Sequence, residues 1–345
     1  MKFFLVYFGV EKKKHVSSNL LISPQLNSMD QAAEPAAESK AATNAKADTN
    51  AKTDTSAEAD TNPIVLLTRD AHATSRWLVD LERSLVQRGA VVLIMPLSSF
   101  DRVNSNWRCL VNRVSDAASP TEVKQTMAAL RSAELHGIPT VNGLACYAIG
   151  TSKLLHHELF DIVGVASPRW IQIKSDTSTE AALAQVTKAE LCYPLLAKPN
   201  SGGFGAGIAS VGTPEDLTLA ILTSARGEDG VALLQEYIKP ADGNVYRVFF
   251  LRDVIQRCVR VRATELEGFN ACVCSTKFAL WECPPEDVSK SVKSMARVAG
   301  ADCGSVELLY NEKDGRALYF DFNLLSTLPD ASSYDELAEM VCHCC

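Results

Sequence analysis

The sequence predicts an α/β layer in front and an α+β body behind. Strand and helix signals alternate from Pro63 to about Gly150, and short strands separated by tight turns follow one another after Gly150. From about Asp30 to Asn62, in contrast, large apolar residues are missing altogether. A chain of 345 residues is long enough for about two compact domains, and 47% hydrophobic against 22% charged residues supplies a core. The net charge is −7, from 34 Lys and Arg against 41 Asp and Glu, and Lys12-Lys13-Lys14 is the one basic run. That balance argues against a nucleic-acid partner. No apolar stretch reaches the ~18 residues that span a bilayer, so no membrane partner is expected. Eleven cysteines, an odd number, sit largely in apparent core segments such as Cys109, Cys146, Cys192, Cys258 and Cys303. They read as thiols of a reduced, cytoplasmic protein. Cys272 and Cys274 would share one face of a strand, and Cys342-His343-Cys344-Cys345 gives weak support for a metal or lipid site.

The elements follow in order. Near-repeats such as Asn44-Ala45-Lys46-Ala47-Asp48-Thr49 cannot bury enough surface to offset their ordering entropy, so residues 1–62 are expected to be a disordered low-complexity tail. Its apolar run Phe3 to Val10 is short and meets Glu11-Lys12-Lys13-Lys14 at once. It reads as a chance apolar start, or as lying upstream of a start at Met29, rather than as a secretion signal. Ile64 to Thr68 is a buried-strand candidate, and Thr74 can cap a helix with Trp77, Leu78, Leu81, Leu85 and Val86 at helical spacing. Val91 to Met95 and Cys109 to Val111 are strands. Pro120 starts a helix that Gly137 closes, and Thr140-Val141 returns to the sheet. Residues 63–150 thus form a small parallel layer.

Residues 151–238 carry a helix at Thr151 to Phe160, strands at Arg169 to Ile173 and Leu195 to Lys198, and a strand Val231 to Tyr237. Residues 239–331 carry Val245 to Leu251 and Val254 to Arg262. Ser305 to Tyr310 and Ala317 to Asn323 then pair as a hairpin across Asp314-Gly315. Residues 332–345 are expected to be a tail, and His156 and His157 to lie on a helix surface.

Two constellations carry chemistry. In Lys198-Pro199-Asn200-Ser201-Gly202-Gly203-Phe204-Gly205-Ala206-Gly207, a strand ends in a lysine and four glycines lead to the next strand. Glycines let backbone N–H groups approach an anion, and the lysine adds a point charge. The pattern is neither a P-loop nor a dinucleotide fingerprint. On the last hairpin, Asp321 and Asn323 share a strand face and Glu307 can lie across from them. Two carboxylates and an amide are hard ligands suited to Mg²⁺ on a polyphosphate. A third segment, Gln235-Glu236-Tyr237-Ile238, leaves a strand towards a Pro/Gly-rich connection and can wall a purine.

Taken together, these residues resemble the ATP-grasp superfamily over roughly Pro63 to Asp330, most closely its ribosomal-modification glutamate ligase and glutathione synthetase branch. The resemblance implies a small α/β domain, in which Asn112-Arg113 and the segment up to Asn142 fall, followed by two antiparallel sheets that clasp ATP. It implies that Lys153 and Lys198 contact the phosphates, that Gly202, Gly203, Gly205 and Gly207 belong to a mobile phosphate loop, and that Glu236, Tyr237 and Ile238 read adenine and ribose. Glu307, Asp321 and Asn323 would hold Mg²⁺, or Mn²⁺ in its place. ATP would phosphorylate a small-molecule carboxylate and an amine would displace the phosphate, with Arg247, Arg260 and Arg262 as catalytic candidates on the acceptor side. An assembly of identical copies stays open.

Three segments depart from the family pattern: Asn244-Val245-Tyr246-Arg247, Phe269-Asn270 without a following Gly-Gly, and Leu324 to Pro329 without a Pro-Gly run. All three touch the acceptor side. An inositol-phosphate or polyol kinase on the same fold, or a non-catalytic ATP-binding module, therefore stands beside the ligase reading.

Overall fold

The computed structural model describes residues 61–345 except 228, 264–276, 283, 326, 327, 329 and 345. The expectations for the tail before Thr61, for Cys272 and Cys274, and for Phe269-Asn270 fall outside these residues. Apolar runs too short for helices become buried strands, β1 (Ile64–Thr68), β2 (Val92–Pro96), β3 (Cys109–Asn112) and β4 (Thr140–Val141). They form a parallel sheet in the order β2-β1-β3-β4. Helix α1 (Arg76–Gln87) buries Leu78, Leu81 and Leu85 on one face of it. Helix α2 (Pro120–Leu135), opened by a Ser119–Glu122 capping box, buries Ala129, Leu130 and Ala133 on the other. Two helices follow, α3 (Leu144–Gly150) and α4 (Lys153–Val163), the latter closed by Gly164 at φ +75°.

A four-stranded antiparallel sheet comes next, in the order β5-β8-β6-β7. Its strands are β5 (Trp170–Ile173), β6 (Leu195–Pro199), β7 (Ala209–Val211) and β8 (Ala232–Glu236), with α5 (Thr179–Lys188) and α6 (Leu219–Ala225) between them in sequence. The last sheet runs β11-β10-β9-β12-β13. It is built from β9 (Asn244–Leu251), β10 (Val254–Arg262), β11 (Ala279–Leu280), β12 (Cys303–Tyr310) and β13 (Ala317–Asn323), with α7 (Glu286–Ala299) packed on its apolar face.

The chain ends in α8 (Ala331–Cys344), where a tail was expected. Tyr334, Leu337, Ala338 and Val341 fall at helical spacing and share a core with Leu78, Leu81 and Leu85 of α1. His156 and His157 are also not on the surface, being 2% and 0% exposed. Cys109 is disulfide-bonded while Cys146, Cys192, Cys258, Cys303 and Cys342 are free, so the expectation of uniformly reduced thiols fails at one position; pairing is not readable from spacing alone. Among the described residues no helix is long and apolar enough to cross a membrane.

The parallel sheet is tied to the last sheet through one buried amide. Asn142 follows β4 in the left-handed region, at φ 55°. Its Nδ2 donates to the carbonyls of Cys303 and Leu324, each at 3.0 Å. Its Oδ1 accepts from the amides of Asp302 and Cys303 at 3.0 and 3.2 Å. The side chain thus grips the start of β12 and the exit of β13 together. Asn142→Ala strands two donors and two acceptors, and denaturant unfolding should report a loss on the order of 3 kcal/mol or more. Asn142→Asp should be worse than Asn142→Ala, because a carboxylate oxygen would face two carbonyls.

Candidate active site

Register builds one side of the site. Glu307 of β12 stands opposite both Arg247 of β9 and Asp321 of β13, and opposed residues of an antiparallel pair share a face. Arg247 Nη2 donates to Glu307 Oε1. Asn323 Nδ2 donates to Asp321 Oδ2 at 2.9 Å and to Glu307 Oε1 at 3.4 Å. Turning the Asn323 amide over exchanges Nδ2 for Oδ1 and completes a set of oxygen donors of the kind Mg²⁺ takes. The third donor is an amide; among the described residues no three His, Cys, Asp or Glu side chains gather as a metal-holding group.

Arg260 and Arg262 do not join this face. They stand opposite Tyr246 and Asn244 on the alternate side of the sheet from Arg247, and both are exposed. Alternation puts the two on a common face, but only the pairing of β10 with β9 decides which face that is.

Lys198, the penultimate residue of β6, is 4% exposed and lies on the sheet face away from the α5–α6 core. Its Nζ donates to Gln235 Oε1 at 3.0 Å. Burial pushes the Lys198 ammonium down to about 8, with Asp321 opposing the shift and Lys153 adding to it. Gln235, one residue before Glu236, therefore faces the same side as Lys198. Glu236 turns to the opposite side, where its Oε1 accepts from Arg169 Nη2 and from the Cys192 amide, both at 2.6 Å. Tyr237 and Ile238 lie just past β8, and Tyr237 is 41% exposed.

Helix α4 touches both sheets. Lys153 Nζ donates to the Gly202 carbonyl at 2.5 Å. Asn200 Oδ1 accepts from the Leu154 amide at 2.9 Å, so the glycine loop is pinned to the helix start. One turn on, His156 Nδ1 lies 3.0 Å from Asp321 Oδ1. Burial alone would raise Asp321, but the His156 hydrogen bond and the charges of His156, Lys153 and Lys198 hold its carboxyl far below the usual range. His157 stacks on Trp170 and lies 3.3 Å from Gln235 Oε1 through Nε2. Burial holds it down to about 3, so it is neutral, with Nε2 protonated towards that acceptor. Within the glycine loop, Gly202, Gly205 and Gly207 have φ of +108°, +70° and +73°. A Cβ on Gly203 would come within 2.8 Å of Asp116 Oδ2.

The structure thus brings together Lys153, Lys198, the glycine loop, Glu307, Asp321, Asn323 and Arg247. It adds His156, His157 and Asp116, which sequence reasoning did not place in the site, and it gives Gln235, read in the sequence only as part of the purine-walling segment, a contact with Lys198. The signal for the histidines was available: Lys153, His156 and His157 are spaced to share one helix face.

The fold has close counterparts. The RimK domain ATP-grasp protein of Sphaerobacter thermophilus superposes with a TM-score of 0.62 at 14% identity, covering 81% of this chain and 98% of that one. The D-alanine–D-alanine ligase of Bacillus anthracis gives 0.61 at 17%, covering 82% and 96%. The chain has the ATP-grasp fold. In sequence, this ATP-grasp chain is 27% identical to the D-alanine–D-alanine ligase of Deinococcus radiodurans over 219 residues, 59% of this chain and 64% of that protein. It is 33% identical to the ligase of that name from Ectopseudomonas mendocina over 120 residues, 34% of this chain and 36% of that protein. The matches thus span less than two thirds of these curated relatives. No family model matches the sequence.

The buried lysine sets a pH dependence. Between about 8 and 10.5 the unfolded chain binds a proton that folded Lys198 has lost, so ligand-free stability should rise with pH there by up to about 1.4 kcal/mol per unit. Below about 8 both states are charged and this contribution is flat. Lys198→Met should abolish the slope in denaturant unfolding measured across that range, and should weaken Mg·ATP binding at least tenfold by calorimetry.

Proposed function

We propose that this ATP-grasp protein is an ATP- and Mg²⁺-dependent ligase that joins a small-molecule carboxylate to an amine through an acyl phosphate. The observation that carries the reading is the meeting of Glu307, Asp321 and Asn323 with Lys153 and Lys198 around a glycine loop pinned to α4. Support also comes from the names of the similar proteins, which are ligases. Mg²⁺, when bound, would supply charge neutralisation across the phosphates.

The chain's own residues do the rest. Lys198 and Lys153 offer cations to the phosphates. His156 helps hold the Asp321 carboxylate in its ionised form, and Arg247 donates a hydrogen bond to Glu307. Arg247 also brings a guanidinium to the metal face, where charge develops during acyl transfer. The glycine loop can close and exclude water, and the proposal needs no side-chain nucleophile.

Incubation with Mg·ATP, pooled amino acids and small peptides should yield ADP, free phosphate and a new amide by mass spectrometry and phosphorus NMR. A phosphorylated acceptor without free phosphate would make the protein a kinase. Asp321→Asn should cut turnover by on the order of 100-fold or more while leaving the unfolding transition in place; retained turnover would remove Asp321 from the metal site.

A further inference from the structure

The carboxyl ends of β1 and β3 hold a charge that no described residue neutralises. Arg113, the residue after β3, is 4% exposed. Its guanidinium lies 4.8 Å over the Trp77 ring, and its buried Nε has no hydrogen-bond partner. It makes no ion pair among the described residues. A cation–π contact recovers less than desolvating an unpaired charge costs. Packing therefore does not account for an arginine here.

A second polar group without a partner stands on the same face. Leu67 pairs with Asn112, so the next residues, Thr68 and Arg113, fall on one sheet face, that of Leu66 and Val111. Thr68 Oγ1 is buried without a partner. Two atoms adjacent in sequence are also without a partner, Asn112 Nδ2, which alternation turns to the other face, and Ser115 Oγ. Asn112 Oδ1 accepts from the Val114 amide, which leaves Nδ2 as the open end. On the shared face Thr68 Oγ1 can donate, and Arg113 Nε can do nothing else. A hydroxyl without a partner on the same face as a buried, unpaired cation calls for an acceptor-only, anionic ligand, at the carboxyl end of the sheet where open α/β sheets bind ligands. Three residues past Arg113, Asp116 lies against Gly203, so the same loop reaches the glycine loop of the active site.

We propose that Arg113 and Thr68 form a carboxylate subsite that holds an acidic group of the substrate, a specificity element resting on the ligase reading above. The planar guanidinium has one face taken by Trp77, and its edge offers the paired N–H geometry that a carboxylate matches.

The test is thermal unfolding without ATP, with acetate titrated against chloride at matched ionic strength. Acetate should raise the parent's melting temperature saturably, by about 2–4 °C at roughly ten times its dissociation constant. Arg113→Met should lose the shift, and Arg113→Lys, which keeps the charge without the fork, should keep half of it or less. Thr68→Val serves as a second variant should Arg113→Met not fold, and it should at least halve the shift. An equal shift in Arg113→Met or Arg113→Lys, or a shift that does not saturate, would overturn the subsite. A larger, Arg113-dependent shift with inorganic phosphate would overturn its assignment to a carboxylate. Because no nucleotide is present, a saturable Arg113-dependent shift alongside a failed amide-product assay would sink the ligase reading and leave the subsite standing.

Discussion

Two carboxylates directly opposite one another on a hairpin are the constraint around which the rest of the site is arranged. Glu307 and Asp321 face each other across β12 and β13, and like charges in that position repel. Each has acquired its own cation or hydrogen-bond donor. Arg247 bonds Glu307 from the neighbouring strand, and His156 bonds Asp321 from α4. Asn323 bridges the two carboxylates with a single amide. Pairing of this kind offsets the repulsion and orients both groups, and it holds Asp321 well below the usual carboxylate range. Register supplies the first cation, and the docking of a helix supplies the second partner.

That dependence explains what the sequence discloses and what it hides. The hairpin was legible because alternation and Asp314-Gly315 act over a few residues. The glycine loop was legible because glycines at left-handed positions leave a local signature. By contrast, the choice between Arg247 and the pair Arg260 and Arg262 depends on how β10 pairs with β9, a long-range fact. The burial of His156 and His157 likewise depends on α4 lying where both sheets reach it. Helix α8 was missed because its stripe, Tyr334, Leu337, Ala338 and Val341, is thinned by serines and acidic residues. Its partner face lies more than two hundred residues away on α1.

The placement of Glu236 and Gln235 shows the same limit at finer grain. Adjacent strand residues point to opposite faces, and a shift of one position exchanges a group that meets Lys198 for one held by Arg169 and the Cys192 amide. Motif spacing narrows the choice to neighbours. Burial on the side of α5 and α6 then decides between them, because the apolar positions Ala232 and Leu234 must go inward.

Electrostatics gives the ligand-free site a direction. Lys198 is buried enough for its ammonium to be disfavoured, while Asp321 is held ionised by the cations around it. A bound polyphosphate would reverse the first condition by placing anions beside Lys198, and a divalent cation would add to the second. On the proposed function, nucleotide and metal would therefore favour the charged forms of both groups. Lys153 couples that change to the backbone, since its Nζ is bound to the Gly202 carbonyl in the ligand-free protein. Phosphate would compete with that carbonyl for the ammonium, while Asn200 would still hold the start of the loop to α4 through the Leu154 amide, so occupancy would free the loop at Gly202 and not at its base.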